Sequence, residues 1–248
     1  MPRPYEAART HACRLTPDRA VETLDDAAGF LSERGMLTRT ADCSLPSLFG
    51  ACHEEPAAPG RGGFGDWPKT KWILSFRLGL TPGTVVTKLH RGKTLYLSER
   101  VARLFDPLCR QAITAADADE AALLRHLDLS GPATLKDLEL ELGWGRARLR
   151  RARQRLERSG ALLGGGLVFE DAETWYLEPL RKWDLGNGSE GTDPHADVLV
   201  AGVRAAVVAP EAEVARWFSW RPPPGTIDRL VGEGRLKRPA PGWLASPS

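Results

Sequence analysis

An α+β fold, mainly α, is what this sequence predicts, on three observations. Apolar residues recur at helical spacing through most of the chain, and glycine closes several of these stretches. Short β-branched or leucine-bearing pieces occur in pairs around basic or glycine-rich turns. In two places the order is helix, helix, third helix and then a pair of short strands, which is the order of a winged helix. With 248 residues and 42% hydrophobic content, the chain has material for real cores and is long for a single domain. The expected organisation is tandem winged-helix domains behind an N-terminal domain of helices and a β-hairpin.

Residues 1–15 lack the apolar core of a secretory signal and read as an N-terminal tail. The N-terminal domain is expected over 16–114. Thr16 can cap a helix, Pro17 suits its first turn and Asp18 favours its dipole. Ala20, Leu24, Ala27, Ala28 and Leu31 give that helix an apolar face, and Gly35 ends it. "LPSLFGACH" predicts a short helix after Pro46, and "EEPAAPGRGGFGDWP" a loop. "KTKWILSFRLGL" is helix-like, with Trp72, Ile73, Phe76 and Leu80 on one side. "PGTVVTKLHRGKTLYLS" then predicts a hairpin turning at "HRGK". Ser98 caps the next helix, and a linker is placed around Thr114 to Asp119.

The first winged helix is expected over 119–184. "DEAALLRHLDLSG" is a helix ended by Gly131, and Thr134 starts a second that Gly143 stops. The third, "WGRARLRRARQRLERSG", buries Leu149, Ala152 and Leu156 as a narrow stripe. After it come a strand, a glycine turn and two extended pieces. A polar glycine-rich linker over 185–193 leads to a second, smaller winged helix over 194–248. Its third helix is short, with Arg229 opposed by Asp228 and Glu233.

The third helix of the middle unit concentrates arginine in a chain whose net charge is only +2. Arg146, Arg150 and Arg153 lie on one flank of the buried stripe; Arg148, Arg151, Arg155 and Arg158 lie on the other. In a helix-turn-helix unit the last helix enters the major groove, and arginine's planar fork pairs with guanine edges or phosphates. Arg146, Arg148, Arg150, Arg151, Arg153 and Arg155 are therefore the expected DNA-binding residues, with duplex DNA the expected partner. The competing reading is a solvated or acid-paired face, for which Asp137, Glu139 and Glu141 stand nearby. Glu170, Asp171 and Glu173 on the expected wing would repel phosphates. The hairpin tip His90, Arg91 and Lys93 is a second basic candidate for phosphate or minor-groove contact, or else a solvated turn. Trp67 and Trp72 are candidates for stacking on a base, Trp72 fitting a core role better.

Other chemistry finds little support. Cys13, Cys43, Cys52 and Cys109 form no C-x-x-C pair, and with His11 and His53 they match no standard zinc spacing, so no metal is expected. No cofactor motif occurs. No run approaches the roughly 20 apolar residues of a membrane span. A monomeric, cytoplasmic, nucleoid-associated protein is the expectation.

Over roughly Thr16 to Ala245 the order of blocks resembles the winged-helix superfamily of crosslink-unhooking DNA glycosylases, the AlkZ/YcaQ family. The residues that carry the resemblance are "LPSLFGACHEE", "DWPKTKWILSFRLGL", "GTVVTKLHRGKTLYLSERVARLF", "RARQRLERSGALLGGGLVFEDAETWYLEPL" and "VARWFSW…LVGEGRLKR…GWLA". It implies tandem winged helices around a DNA-binding concavity and hydrolysis of the N-glycosidic bond of alkylated or crosslinked purines. In active members a Gln-x-Gln or Gln-x-Asp pair positions the water. That pair is missing here, where the only glutamines are Gln111 and Gln154. Thr40-Ala41-Asp42 stands near the matching place. Asp42 could hold a water there and Thr40 add a hydrogen bond, or Asp42 could simply lie in a turn before the helix. The reading from another class is a non-catalytic regulator or protein-interaction scaffold.

Overall fold

The computed structural model describes residues 1–54, 69–164, 167–169, 175–177, 179–185 and 193–247. Trp67, the acidic residues Glu170, Asp171 and Glu173, and most of the 185–193 linker lie outside the described residues. The fold is α+β and mainly helical, with small antiparallel sheets. Among the described residues no helix is long and apolar enough to cross a membrane.

The first residues are not a tail. Helix α1 covers Arg3–Ala12, and Arg9 ties it down by donating to the carbonyls of Ser44 at 2.8 Å and Ala206 at 2.9 Å. Nor does a helix begin at Pro17, where the chain makes only a 3-10 turn, Pro17–Arg19. Helix α2 starts at Leu24 and runs to Arg34, because Thr23 and Asp26 form a reciprocal capping box. Thr23 accepts from the Asp26 amide at 3.1 Å, and the Asp26 carboxylate accepts from the Thr23 amide at 3.0 Å.

A three-residue strand β1, Met36–Thr38, then precedes α3, Leu48–Ala51, and α4, Lys69–Leu80. The hairpin follows as β2, Thr84–His90, and β3, Lys93–Ser98, and its sheet order is β1-β3-β2. Met36 pairs with Leu97 and Val85 also pairs with Leu97, so the returning strand sits in the middle. Ser98 caps α5, Glu99–Thr114, by accepting from the Val101 amide at 3.4 Å.

The gap expected after α5 is shorter than the sequence implies, because Asp117 already caps α6, Ala118–Ser130, through a second capping box with Glu120. Helices α7, Leu135–Leu142, and α8, Arg146–Ser159, complete a three-helix unit. Strand β4, Leu162–Leu163, pairs with β7, Arg181–Lys182, and β5, Leu167–Phe169, with β6, Trp175–Leu177. Ala133, between α6 and α7, bridges Leu180 just before β7. In the last unit α9, Pro194–Ala206, is followed by β8, Val208–Pro210, the one-turn helix α10, Glu211–Val214, and α11, Thr226–Gly232. Strands β9, Lys237–Ala240, and β10, Trp243–Ala245, close a sheet of order β8-β10-β9.

The same arrangement therefore occurs over 24–98 and 194–245: helix, short strand, two helices, strand pair, with the last strand between the other two. The middle unit keeps the three helices, but an isolated bridge at Ala133 stands where the short strand would be, and its strands form two separate pairs, β4 with β7 and β5 with β6. The sequence suggests a winged-helix order over 119–184 and 194–248, and not over 24–98.

The first and last units share one core. Leu89, Leu95 and Leu97 from the first hairpin, Phe105 and Cys109 from α5, and Val198, Trp217 and Leu244 from the last unit pack into a single buried cluster. Each large side chain buried there contributes roughly 1.5–3 kcal/mol. The middle unit builds a second core on Leu123, Leu138, Leu149 and Leu156, and adds Leu163 and Trp183 to the shared one. Helix α8 packs against β2 and α5 as well as against α6, so its C-terminal half meets the first hairpin.

Candidate nucleic-acid interface

Helix α8 buries the stripe its spacing predicts: Leu149, Ala152 and Leu156 are at most 4% exposed. The opposite face, Arg150, Arg151, Gln154 and Arg158, is open to solvent. Four of the arginines are held by carboxylates. Arg148 makes a two-pronged pair with Asp119, Nε at 3.0 Å and Nη2 at 2.5 Å, and its guanidinium sits 4.2 Å over the Trp144 ring. Arg155 meets Asp117 at 2.8 Å and Glu120 at 2.9 Å. Arg146 lies 3.5 Å from Glu139, and Arg153 lies 3.7 Å from Glu157. Arg150, Arg151 and Arg158 have no ion pair among the described residues.

The acids that matter most are not on the preceding helix. Asp117, Asp119 and Glu120 belong to the first turn of α6, some 30 residues upstream, where their cap chemistry also serves the helix dipole. The hydrogen bond from Arg148 holds the Asp119 carboxyl below its ordinary range. Of the acids near in sequence, Glu139 takes an arginine, whereas Asp137 caps α7 and Glu141 pairs with His126.

The free face of α8 ends on the first hairpin. The stem of Arg158 crosses Gly92, where an added Cβ would meet Cγ at 3.3 Å. Arg91, with φ 54, and Gly92, with φ 82, form the left-handed turn between β2 and β3. The arginine helix and the hairpin tip, two separate stretches of sequence, thus form one surface.

Within the tip the three basic residues differ. His90 is fully buried, so its ring offers no atom to a phosphate. Burial, reinforced by Arg91, lowers its pKa and keeps it neutral at pH 7. Its Nδ1–H then donates to the Trp217 carbonyl at 2.6 Å, and its Nε2 accepts from Arg91 at 3.0 Å. Lys93 is ion-paired to Asp42, and Arg91 stands 4.0 Å from the same carboxylate. Both side chains remain about half exposed.

Asp42 therefore joins the hairpin tip. Burial works against its charge, but the hydrogen bond from Lys93 and that ammonium's charge outweigh it and hold the carboxyl below its ordinary range. Thr40 lies beside it on the same loop, exposed, with its carbonyl accepting from the Thr38 hydroxyl and the Asp42 amide, each at 3.0 Å. The two residues are brought together, but the carboxylate is already occupied by the protein's own cation.

Ligand atoms of Asp42, Cys43 and His90 lie within 4.8 Å of one another. The set does not fit a metal dication. Lys93 takes the carboxylate, Arg91 takes the imidazole Nε2, and burial pushes the Cys43 thiol up to about 12, far from the thiolate a metal needs. Trp72 packs between Phe49, 5.4 Å away edge-on, and Phe76, stacked at 5.9 Å, as a core residue would. In the last unit Arg229 pairs with Glu233 at 3.0 Å, and Asp228 pairs with Arg238 at 2.5 Å, which leaves α11 largely neutralised.

No protein-family model matches the chain, and neither the curated proteins nor the solved structures give a match.

Proposed function

We propose that the protein is a duplex-DNA-binding protein built of tandem winged helices, and that it grips DNA through Arg150, Arg151 and Arg158 together with Arg91 on the adjoining hairpin turn. The order of the first and last units, each with its last strand central, and the three helices followed by strand pairs in the middle unit support reading each as a winged helix. The observation that carries the reading is the row of three guanidinium groups without carboxylate partners among the described residues. From Arg150 to Arg158 the helix rises about 12 Å at 1.5 Å per residue, close to the width of the major groove. Each phosphate neutralised there would release condensed counterions.

The resemblance to crosslink-unhooking glycosylases makes alkylated or distorted duplex the DNA class to try first. The proposal is of binding and not of base release. A water-positioning carboxylate must face the sugar unencumbered, and Asp42 is clamped by Lys93 instead. A regulator that binds intact operator DNA would use the same face.

The test is binding of plain and alkylated duplex by fluorescence anisotropy, with abasic-site formation measured on the same samples. The expected result is retention of both duplexes without abasic-site formation, and affinity lowered at least tenfold in Arg150→Gln/Arg151→Gln/Arg158→Gln. Abasic sites that vanish in Asp42→Asn would show that hydrolysis had been wrongly left out. Unchanged binding by the triple variant would remove the interface.

A further inference from the structure

A cleft of about 580 Å³ opens beside the C-terminal end of α8, where α5, α6, the start of α9 and the Ser219–Trp220 segment converge. Trp220, His195, Gln111, Glu120, Arg155 and Arg158 contribute to its wall. Its size is in the range of small-ligand sites. Arg155 and Arg158 also line a neighbouring recess of about 410 Å³ with Arg151 and Gln154, so the cleft is continuous with the free face of α8.

The wall offers three kinds of chemistry. Trp220 stacks one face on Phe218, centroids 5.0 Å apart at 26°, and meets His195 edge-on at 4.9 Å. Trp220 is partly exposed and borders the cleft, and its buried Nε1 has no hydrogen-bond partner. Gln111 is exposed and carries both donors and an acceptor. Burial lowers the His195 pKa, so its neutral ring likewise has one donor and one acceptor nitrogen.

The charges are arranged as well. Glu120 would repel an anion, but its carboxylate is taken by Arg155 at 2.9 Å and by the Asp117 amide at 3.0 Å. Arg158 keeps its charge free of any carboxylate among the described residues. An aromatic surface, mixed amide and imidazole groups, and one free guanidinium are the set that holds a flat heteroaromatic ring bearing a phosphate.

We infer that this cleft binds a nucleotide, with the base against Trp220 and edged by Gln111 and His195, and the phosphate on Arg158. The nucleotide can come from two sources, a free mononucleotide or an unstacked residue of a bound strand. Only the second rests on the DNA-binding reading above.

Equilibrium dialysis of the full chain against labelled AMP, adenosine and ribose 5-phosphate, without DNA, tests the shared chemistry. AMP is expected to bind at least fivefold tighter than either fragment, and Gln111→Ala and Trp220→Leu are each expected to weaken it at least fivefold. Gln111 is exposed, so its variant keeps the test valid if Trp220→Leu misfolds. Binding of ribose 5-phosphate as tight as that of AMP, or no binding of AMP at all, overturns the proposal. Arg150→Gln lies outside the cleft and should leave AMP binding intact even where it weakens DNA binding, which separates the two readings. A duplex with one bulged 2-aminopurine then assigns the source. Quenching of its fluorescence that AMP reverses places a strand nucleotide in the cleft, and AMP binding without quenching places a free one there.

Discussion

The indole N–H of Trp183 donates to Asp106 at 2.9 Å, and both side chains are 2% exposed. Trp183 follows β7 of the middle unit and Asp106 lies in α5, so the bond fastens the middle unit to the helix that the other two share. Arg110 completes the site, its Nε 2.6 Å from the other carboxylate oxygen. Trp183→Phe keeps most of the ring but leaves a buried acceptor without its donor. The expected cost is about 1–3 kcal/mol in urea unfolding, with DNA affinity unchanged because neither residue lies on the cationic face.

Gly160 ends α8 with φ 85, and a Cβ there would lie 2.6 Å from Cys109 Sγ and 2.9 Å from Leu89 Cδ2. Gly143 ends α7 in the same left-handed conformation, with φ 61, and has nothing within 4 Å of that position. Ala at Gly143 therefore meets only backbone strain, about 1–2 kcal/mol. Gly160→Ala adds overpacking of about 1–3 kcal/mol to that strain. Denaturant midpoints of the two variants should differ accordingly, and equal midpoints would mean that α8 does not press on α5 and β2.

Buried His90 sets a pH dependence. Its folded pKa lies below the ordinary 6.5, chiefly through burial and then through Arg91. Between the two values the unfolded chain binds the proton and the folded chain does not. Stability is therefore present above pH 6.5 and falls as the pH drops through that point, by at most about 1.4 kcal/mol per pH unit. His90→Gln should reduce this slope between pH 6.5 and 5 to the part that His195 contributes, whose pKa burial also lowers. Asp42, whose pKa is also lowered, acts only below its ordinary 3.8 and does not confuse the window.

The acids on α6 should restrain DNA binding. Asp119→Asn frees Arg148 and removes a negative charge beside the α8 face. Affinity for duplex is expected to rise about two- to fivefold at low salt, with the gain shrinking as salt screens it. A drop in affinity would mean that the Arg148–Asp119 pair orients the helix for DNA.

The parts of this fold that are legible in sequence are those set by local chemistry. The stripe Leu149, Ala152 and Leu156, the stop at Gly160 and the cap at Ser98 follow from neighbours within a turn or two, and each is found where expected. The start of α2 is ambiguous in sequence because Thr16-Pro17 and Thr23 both carry cap signals, and only Thr23 has an acid three residues on that completes the box. Strand β1 and the short α10 are held by pairing and packing with distant segments, which no local window contains. The same holds at the site. Arginine density is visible in the sequence, but the pairing of Arg148 and Arg155 with Asp119 and Asp117 depends on how α6 lies across α8. The burial of His90 depends on Trp217, 127 residues away.

The most direct test of the central claim is the salt dependence of duplex binding by the wild-type protein and by Arg150→Gln/Arg151→Gln/Arg158→Gln. If these three guanidinium groups meet phosphates, the slope of log K against log salt should become shallower by about 0.9 for each phosphate no longer neutralised, up to roughly 2.7 in all. Parallel slopes for the two proteins would contradict the account and return the face to solvent.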